Sequence, residues 1–262
     1  MPLTEFYLAS PSRLVVFVLV LTRISGLLMT APLFSNRSAP MRVRAMLAIV
    51  LAMFITPLQS QGAVPDPGTL VNLVTLMIGE AIVGLSLGLG LQILFSGVQL
   101  TGYTLGQMSG AQLAEAFDPT FDQSVPVHSQ LLDLVTLAVF VTIGGHRELL
   151  DALLGTFRTL PLGGGGFQQS MAEAMFNVIT QSFTVGIRAA APAIVALLAS
   201  ILILGLISRT LPQLNILAVG FSLNAVVMLA VVALSLGGIV WVFQNEVSPT
   251  IEMLRAALVI GH

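Results

Sequence analysis

The chain has 262 residues, of which 56% are hydrophobic and only 8% charged, with a net charge of −2 and a mean hydropathy of +0.97. A soluble domain carries about a quarter charged residues, so this chain cannot dress a globular surface for water, and its surface faces lipid, apolar protein or both. A soluble enzyme, a disordered regulator and a nucleic-acid binder are excluded, the last because no basic run exists that could follow a phosphate backbone.

Along the chain, Met1 to Ser12 carries Glu5 and no basic cluster, and no A-x-A site follows the first apolar run, which argues against a cleaved signal peptide. Six apolar stretches succeed it: Leu14–Leu33, Ala45–Thr56, Leu70–Phe95, Leu131–Ile143, Pro192–Ile207 and Ile216–Phe243. They are rich in Leu, Ala, Val, Ile and Met without strict alternation, which predicts helix and an all-α, polytopic chain. Crossing the hydrocarbon core takes about 20 residues. The first stretch is long enough, and the third and sixth are long enough to tilt, bend or break. The other three give only about 18, 20 and 24 Å of helix, as lower bounds, which suits a protein assembly better than isolated exposure to lipid.

Between these stretches, Gln59–Gly68 is a turn-rich loop, Leu160–Gly166 contains four consecutive Gly and predicts a flexible break, and Phe167–Arg188 is mildly amphipathic and helical. Thr210–Asn215, around Pro212, makes a tight connector that turns the last two stretches into a hairpin. With six crossings, Arg37, Arg42, Arg44 and Arg209 fall on one side and Arg13, Arg147, Arg158 and Arg255 on the other. The positive-inside rule therefore gives no orientation, so either some stretches do not cross or the chain is not an ordinary membrane bundle.

All ten cations are Arg, a side chain that suits low-dielectric pairing, and Cys is absent, so no disulfide, thiolate metal site or Cys nucleophile exists. His128 and His146 lack metal-ligand spacing, and no glycine-rich loop ends in Lys-Ser or Lys-Thr. Gly106 to Gly110, with Ser109 between, has a faint likeness to the turn of a membrane serine protease, but the spacing fits close helix packing better. Catalytic, cofactor and metal residues are accordingly expected to be none.

Three groups of residues stand out. Gly84 and Gly88 form one small-xxx-small step, and Gly102, Gly106 and Gly110 a double step, where helix backbones approach closely. Generic packing explains one such step; three in register favour a specific partner helix. Arg23, Glu80, Asp133 and Arg188 lie in or beside apolar stretches, where ionisable groups are costly and are paired or functional. Arg23 with Glu80 is a candidate pair, and both a structural pair and an ion pathway stay open. Tyr103–Pro126 combines Gly106, Met108, Gly110, Phe117 and Phe121 with Glu115, Asp118 and Asp122, and Asp118-Pro119 marks a turn. A surface loop rarely spends two Phe and a buried one rarely spends three acids, whereas a segment closing an aqueous passage uses both. A static loop packed between helices is the alternative.

Further motifs, in order, are Arg23-Ile-Ser-Gly26, Pro32-Leu-Phe34, Pro40-Met-Arg42-Val-Arg44, Gly79-Glu80, the Gly102/Gly106/Gly110 stripe and Asp118-Pro119. They continue with Gly144-Gly145-His146, Phe157, Leu160-Pro161-Leu-Gly163, Ala191-Pro192, Gly205-Leu-Ile-Ser-Arg209-Thr-Leu-Pro212-Gln213-Leu-Asn215 and Val219-Gly220-Phe221. In order and spacing the chain resembles the FliR/SctT family of type III secretion export-gate proteins over residues 10 to 245. The Gly144-Gly-His146 and Pro212-Gln-Leu-Asn215 motifs lean to its flagellar branch. Ser222 stands where the family often carries Pro, so no helix kink is forced there.

The resemblance implies a FliP-like helical part at residues 1–188 and a FliQ-like hairpin with a C-terminal tail at 189–262. It implies assembly with FliP-like and FliQ-like membrane subunits, and with further export-apparatus and basal-body proteins, into a cone-shaped channel. That channel sits in the bacterial inner membrane at the flagellar basal body and passes unfolded flagellar proteins, without catalysis. Tyr103–Pro126 would be the plug, Gly84, Gly88 and Gly102 packing positions, and Arg23, Glu80, Arg188 and Arg209 buried or interfacial charges. The competing expectation is a single-chain transporter of small molecules or ions, for which the Gly-interrupted third stretch and Glu80 are the support. An intramembrane enzyme lacks a nucleophile–base pair.

Overall fold

A computed structural model of the protein describes residues 11–35, 40–59, 67–108, 127–166, 169–210 and 216–259. The described residues are all-helical: α1 Pro11–Thr30, α2 Pro32–Ser35, α3 Met41–Gln59, α4 Leu70–Met108, α5 Val127–Thr142, α6 Gly145–Thr159, α7 Gln169–Thr210 and α8 Ile216–Val259. By length and composition α1, α3, α4, α7 and α8 can each cross a membrane, and a sixth crossing results if α5 and α6, bent by 65°, count as one.

Local chemistry sets the helix ends. Pro11 opens α1, where a missing N–H costs nothing. The turn at its end closes with Ala31 N–H donating to the Leu27 carbonyl at 2.8 Å before Pro32 starts α2. Thr69 caps α4, its Oγ1 accepting the Asn72 N–H at 3.3 Å. Gly144, at φ 80°, takes the left-handed conformation that turns α5 into α6.

Several elements differ from the sequence expectation. Phe167–Arg188 and Pro192–Ile207 are not separate: Gln169–Thr210 is one 42-residue helix with Pro192 inside it. Pro192 has no N–H to donate to the Arg188 carbonyl one turn before it, and both residues are exposed. Ala45–Thr56 is the middle of a 19-residue helix that polar residues extend at both ends. The stretch at Leu131–Ile143 is followed by an amphipathic helix, α6, that a search for apolar runs passes over. Tyr103–Met108 continues α4 rather than starting a loop. The Thr210–Asn215 connector lies, beyond Thr210, outside the described residues.

The chain forms two compact units. Unit 1 comprises residues 1–93, 144–178 and 247–262. In it α1 packs on α3 and α4, and the α1–α4 approach is close because small residues line it. A Cβ at Gly26 would lie 2.9 Å from the Ala81 carbonyl oxygen, and Cβ atoms at Gly84 and Gly88 would strike the Arg23 carbonyl and the Thr30 hydroxyl. The α6 stripe Leu149, Ala152, Leu153, Thr156 and Phe157 is buried, at the three-and-four spacing of one helix face.

Unit 2 comprises residues 94–143 and 179–246. Phe95 meets Phe140 and Phe243 edge-on, with ring centroids 5.5 and 5.0 Å apart. α4 and α7 touch backbone to backbone where Gly97 faces Ser182 and Gly186, and Thr101 Oγ1 donates to the Gly186 carbonyl at 2.9 Å. Leu105, Ala193, Leu197, Met228 and Val232 form a core cluster, with Met108 packed against it.

Candidate functional site

The most concentrated polar chemistry among the described residues lies in unit 1, at two fully buried charges. Glu80, Gly84 and Gly88 recur every four residues and so share one face of α4. The glycines bring α1 close at that face, and this approach sets Arg23 opposite Glu80. Arg23 Nε donates to Glu80 Oε2 at 2.5 Å, and both side chains are 0% exposed. Arg23 Nη1 donates to Thr156 Oγ1 at 3.1 Å, and Nη1 and Nη2 both donate to the Leu160 carbonyl at 3.3 Å. The guanidinium lies over the Phe157 ring, with Cζ 4.4 Å from its centroid. Glu80 Oε1 accepts the Gly163 N–H at 2.8 Å.

The cluster is thus internally satisfied. Desolvating two charges costs several kcal/mol per ion, and only good geometry with further hydrogen bonds offsets that cost. Both carboxylate oxygens and all three guanidinium nitrogens are engaged here. Such an arrangement holds chain segments together, with each Glu80 oxygen already engaged within the protein.

It also corrects the expectation for Leu160–Gly166. Rather than a flexible break, these residues form a docked turn. Leu160 is buried, Gly163 adopts φ 87°, Gly164 N–H donates to the Pro161 carbonyl at 3.0 Å, and Gly165 lies against Gly79 so closely that a Cβ on either would collide. The lack of Cβ atoms that gives these glycines freedom in an unfolded chain also lets the turn fit against α4.

The remaining sequence-derived residues are dispersed. Gly84 lies at the α1–α4 contact beside the pair and Gly88 one turn further along it. Gly102 belongs to unit 2, where a Cβ would come within 2.5 Å of the Ser129 Cα. Gly106 is buried inside α4 and Met108 is half-buried at its end, so neither begins a free loop. Gly110, Phe117, Asp118 and Phe121 lie outside the described residues. Arg188 and Arg209 are both exposed on α7. Asp133 is half-buried and accepts from Gln99 Nε2 at 2.7 Å. His128 and His146 sit at the starts of α5 and α6, and no group of three or more potential metal ligands occurs among the described residues.

The sequence reading missed Thr156, Phe157, the Leu160 carbonyl and the Gly163 N–H as partners of the pair. Two are backbone atoms, which leave no signature. The available signal was the amphipathic spacing that puts Thr156 and Phe157 on the buried face of α6.

The sequence profile of the family described as bacterial export proteins, family 1, matches residues 14–250. The chain is 33% identical over 213 residues to the flagellar biosynthetic protein FliR of Escherichia coli (strain K12), covering 81% of each chain. It is 30% identical over 205 residues to that of Pectobacterium carotovorum subsp. carotovorum, covering 78% of each. With that of Bacillus subtilis (strain 168) it shares 29% over 254 residues, covering 93% of this chain and 95% of the relative.

Proposed function

The chain belongs to family 1 of the bacterial export proteins, and from that premise we propose that it is a channel-forming subunit of the flagellar type III export gate. In this reading it assembles with FliP-like and FliQ-like subunits in the inner membrane at the basal body, and the assembly passes unfolded flagellar proteins. The carrying observation is similarity along most of the chain, at 33% identity over 81% of both sequences, to a flagellar biosynthetic protein. The described residues are all-helical, with five helices among them long and apolar enough to cross a membrane, which is consistent with an integral membrane component of flagellar export.

Three observations bear on the finer reading. α7 and α8 expose large apolar side chains, among them Leu202 and Leu206 at 69% and Leu234 at 85%, and these surfaces suit apolar neighbours or lipid. Glu80 has both oxygens engaged inside unit 1, which removes the main support for a single-chain ion transporter. The plug role belongs to Tyr103–Pro126, with Gly106, Met108, Gly110, Phe117, Asp118 and Phe121 as its residues, and is supported by composition and family resemblance.

The test is co-expression with FliP-like and FliQ-like subunits followed by purification of a tagged chain in mild detergent. A stable stoichiometric complex is expected. A monodisperse single chain that ignores those subunits would overturn the proposal.

A further inference from the structure

The Arg23–Glu80 pair has a bonding pattern that goes beyond holding two helices together. The α1–α4 contact already has its own basis, in the backbone approach at Gly26, Gly84 and Gly88. The further hydrogen bonds of the two side chains go instead to residues 156–163: Thr156 Oγ1, the Leu160 carbonyl from both Nη atoms, and the Gly163 N–H. The Phe157 ring under the guanidinium lies in the same segment. That segment runs on into Gly163–Gly166, four residues with no side chain to bury and the highest backbone entropy to lose.

We propose that the Arg23–Glu80 pair is a latch on the Leu160–Gly166 turn: bound to the pair, the turn is a fixed corner between α6 and the start of α7, and without the pair it becomes a swivel. Arg23 grips the carbonyl at the end of α6 and Glu80 grips the N–H three residues later, so the two charges clamp the turn at both sides of Pro161 and Leu162. Arg23 and Glu80 are therefore positioning residues, acting through the turn. A buried pair adds little stability over apolar groups of similar size but does select one geometry, and a run of glycines is where a chosen geometry needs an external constraint.

The natural absence of Cys permits a direct test by site-directed spin labelling of the full chain in membranes. One label is placed by Gly164→Cys, an exposed position where φ is not positive, and a control label by Val74→Cys, on the exposed face of α4 in the same unit. In the otherwise unchanged chain the label at 164 is expected to give a broad, motionally restricted spectrum. In the double variant Arg23→Met/Glu80→Leu, the label at 164 is expected to sharpen to the narrow lines of nanosecond loop motion, while the label at 74 keeps its line shape. A narrow spectrum at 164 in the unsubstituted background overturns the proposal, as does an unchanged spectrum at 164 in the double variant, which would assign the turn to the Gly79–Gly165 contact. Loosening of both labels together also overturns it, since the pair would then be holding the helices rather than the turn. None of these readouts depends on the export reading.

Discussion

Arg23 illustrates how much one side chain decides in an apolar protein. It makes four polar contacts and one ring contact, all within unit 1 and none to solvent. Glu80→Ala leaves that guanidinium buried without its counter-charge, an arrangement that costs about 3–5 kcal/mol. We expect the single variant to lower the thermal midpoint of the detergent-solubilised protein sharply. Arg23→Met/Glu80→Leu should recover most of that loss, because a well-packed apolar pair removes the desolvation cost along with the attraction. A double variant no more stable than Glu80→Ala would contradict this account. Arg209 presents the opposite case, exposed in the last turn of α7, where a cation complements the helix dipole. Arg209→Ala is expected to leave the fold unchanged and to weaken recovery of neighbouring subunits in co-purification. Unchanged recovery would reduce Arg209 to a solvated end charge.

At the scale of elements, glycine steps decide which helices meet. A side chain at Gly84 would run into the Arg23 backbone carbonyl, which cannot rotate away as a side chain can. Gly84→Val should therefore push α1 off α4 and cost about 3 kcal/mol or more, at the upper end of overpacking effects. The same substitution at Gly237, where a Cβ meets nothing within 4 Å, is the matched control. Membrane abundance and protease resistance of the two variants measure the difference; equal behaviour would mean that the α1–α4 approach is not what holds unit 1 together. α7 shows a second principle at this scale. Its 42 residues amount to about 63 Å of helix, roughly twice the hydrocarbon thickness, so much of it must run through protein or headgroups. That explains why its first half carries Glu173, Gln181 and Arg188 while its second half reads as a membrane span.

For the whole molecule, the proposed function raises the question of how a passage wide enough for an unfolded polypeptide stays closed to ions. Under the proposed function Tyr103–Pro126 is the seal, since Met108, Phe117 and Phe121 supply the apolar surface by which constrictions dewet. Gly106 is buried within α4 and does not supply the backbone freedom such a segment needs. Shortening Ala111–Phe121 is expected to leave assembly intact and make cells leaky to small ions. Normal assembly with wild-type conductance would remove the seal from this segment.

The amino-acid sequence by itself determined the class of the protein. Its 8% charged residues rule out a soluble surface, and its apolar runs mark helices without needing any knowledge of neighbours. Hydropathy is a local property, so it can be read locally. It also singled out Arg23 and Glu80, because a charge in an apolar run is conspicuous by itself. The helix extents were less legible: polar residues extend α3 beyond its apolar middle, and amphipathic α6 contains no apolar run at all. Only the tertiary structure decided what the charges hold. Arg23 meets Glu80 across 57 residues and the Leu160 carbonyl across 137, and the glycine turn meets the pair through backbone atoms, which carry no sequence signature. A run of glycines is permissive, and permissiveness specifies no conformation; its geometry comes from the carboxylate and guanidinium that folding brings to it.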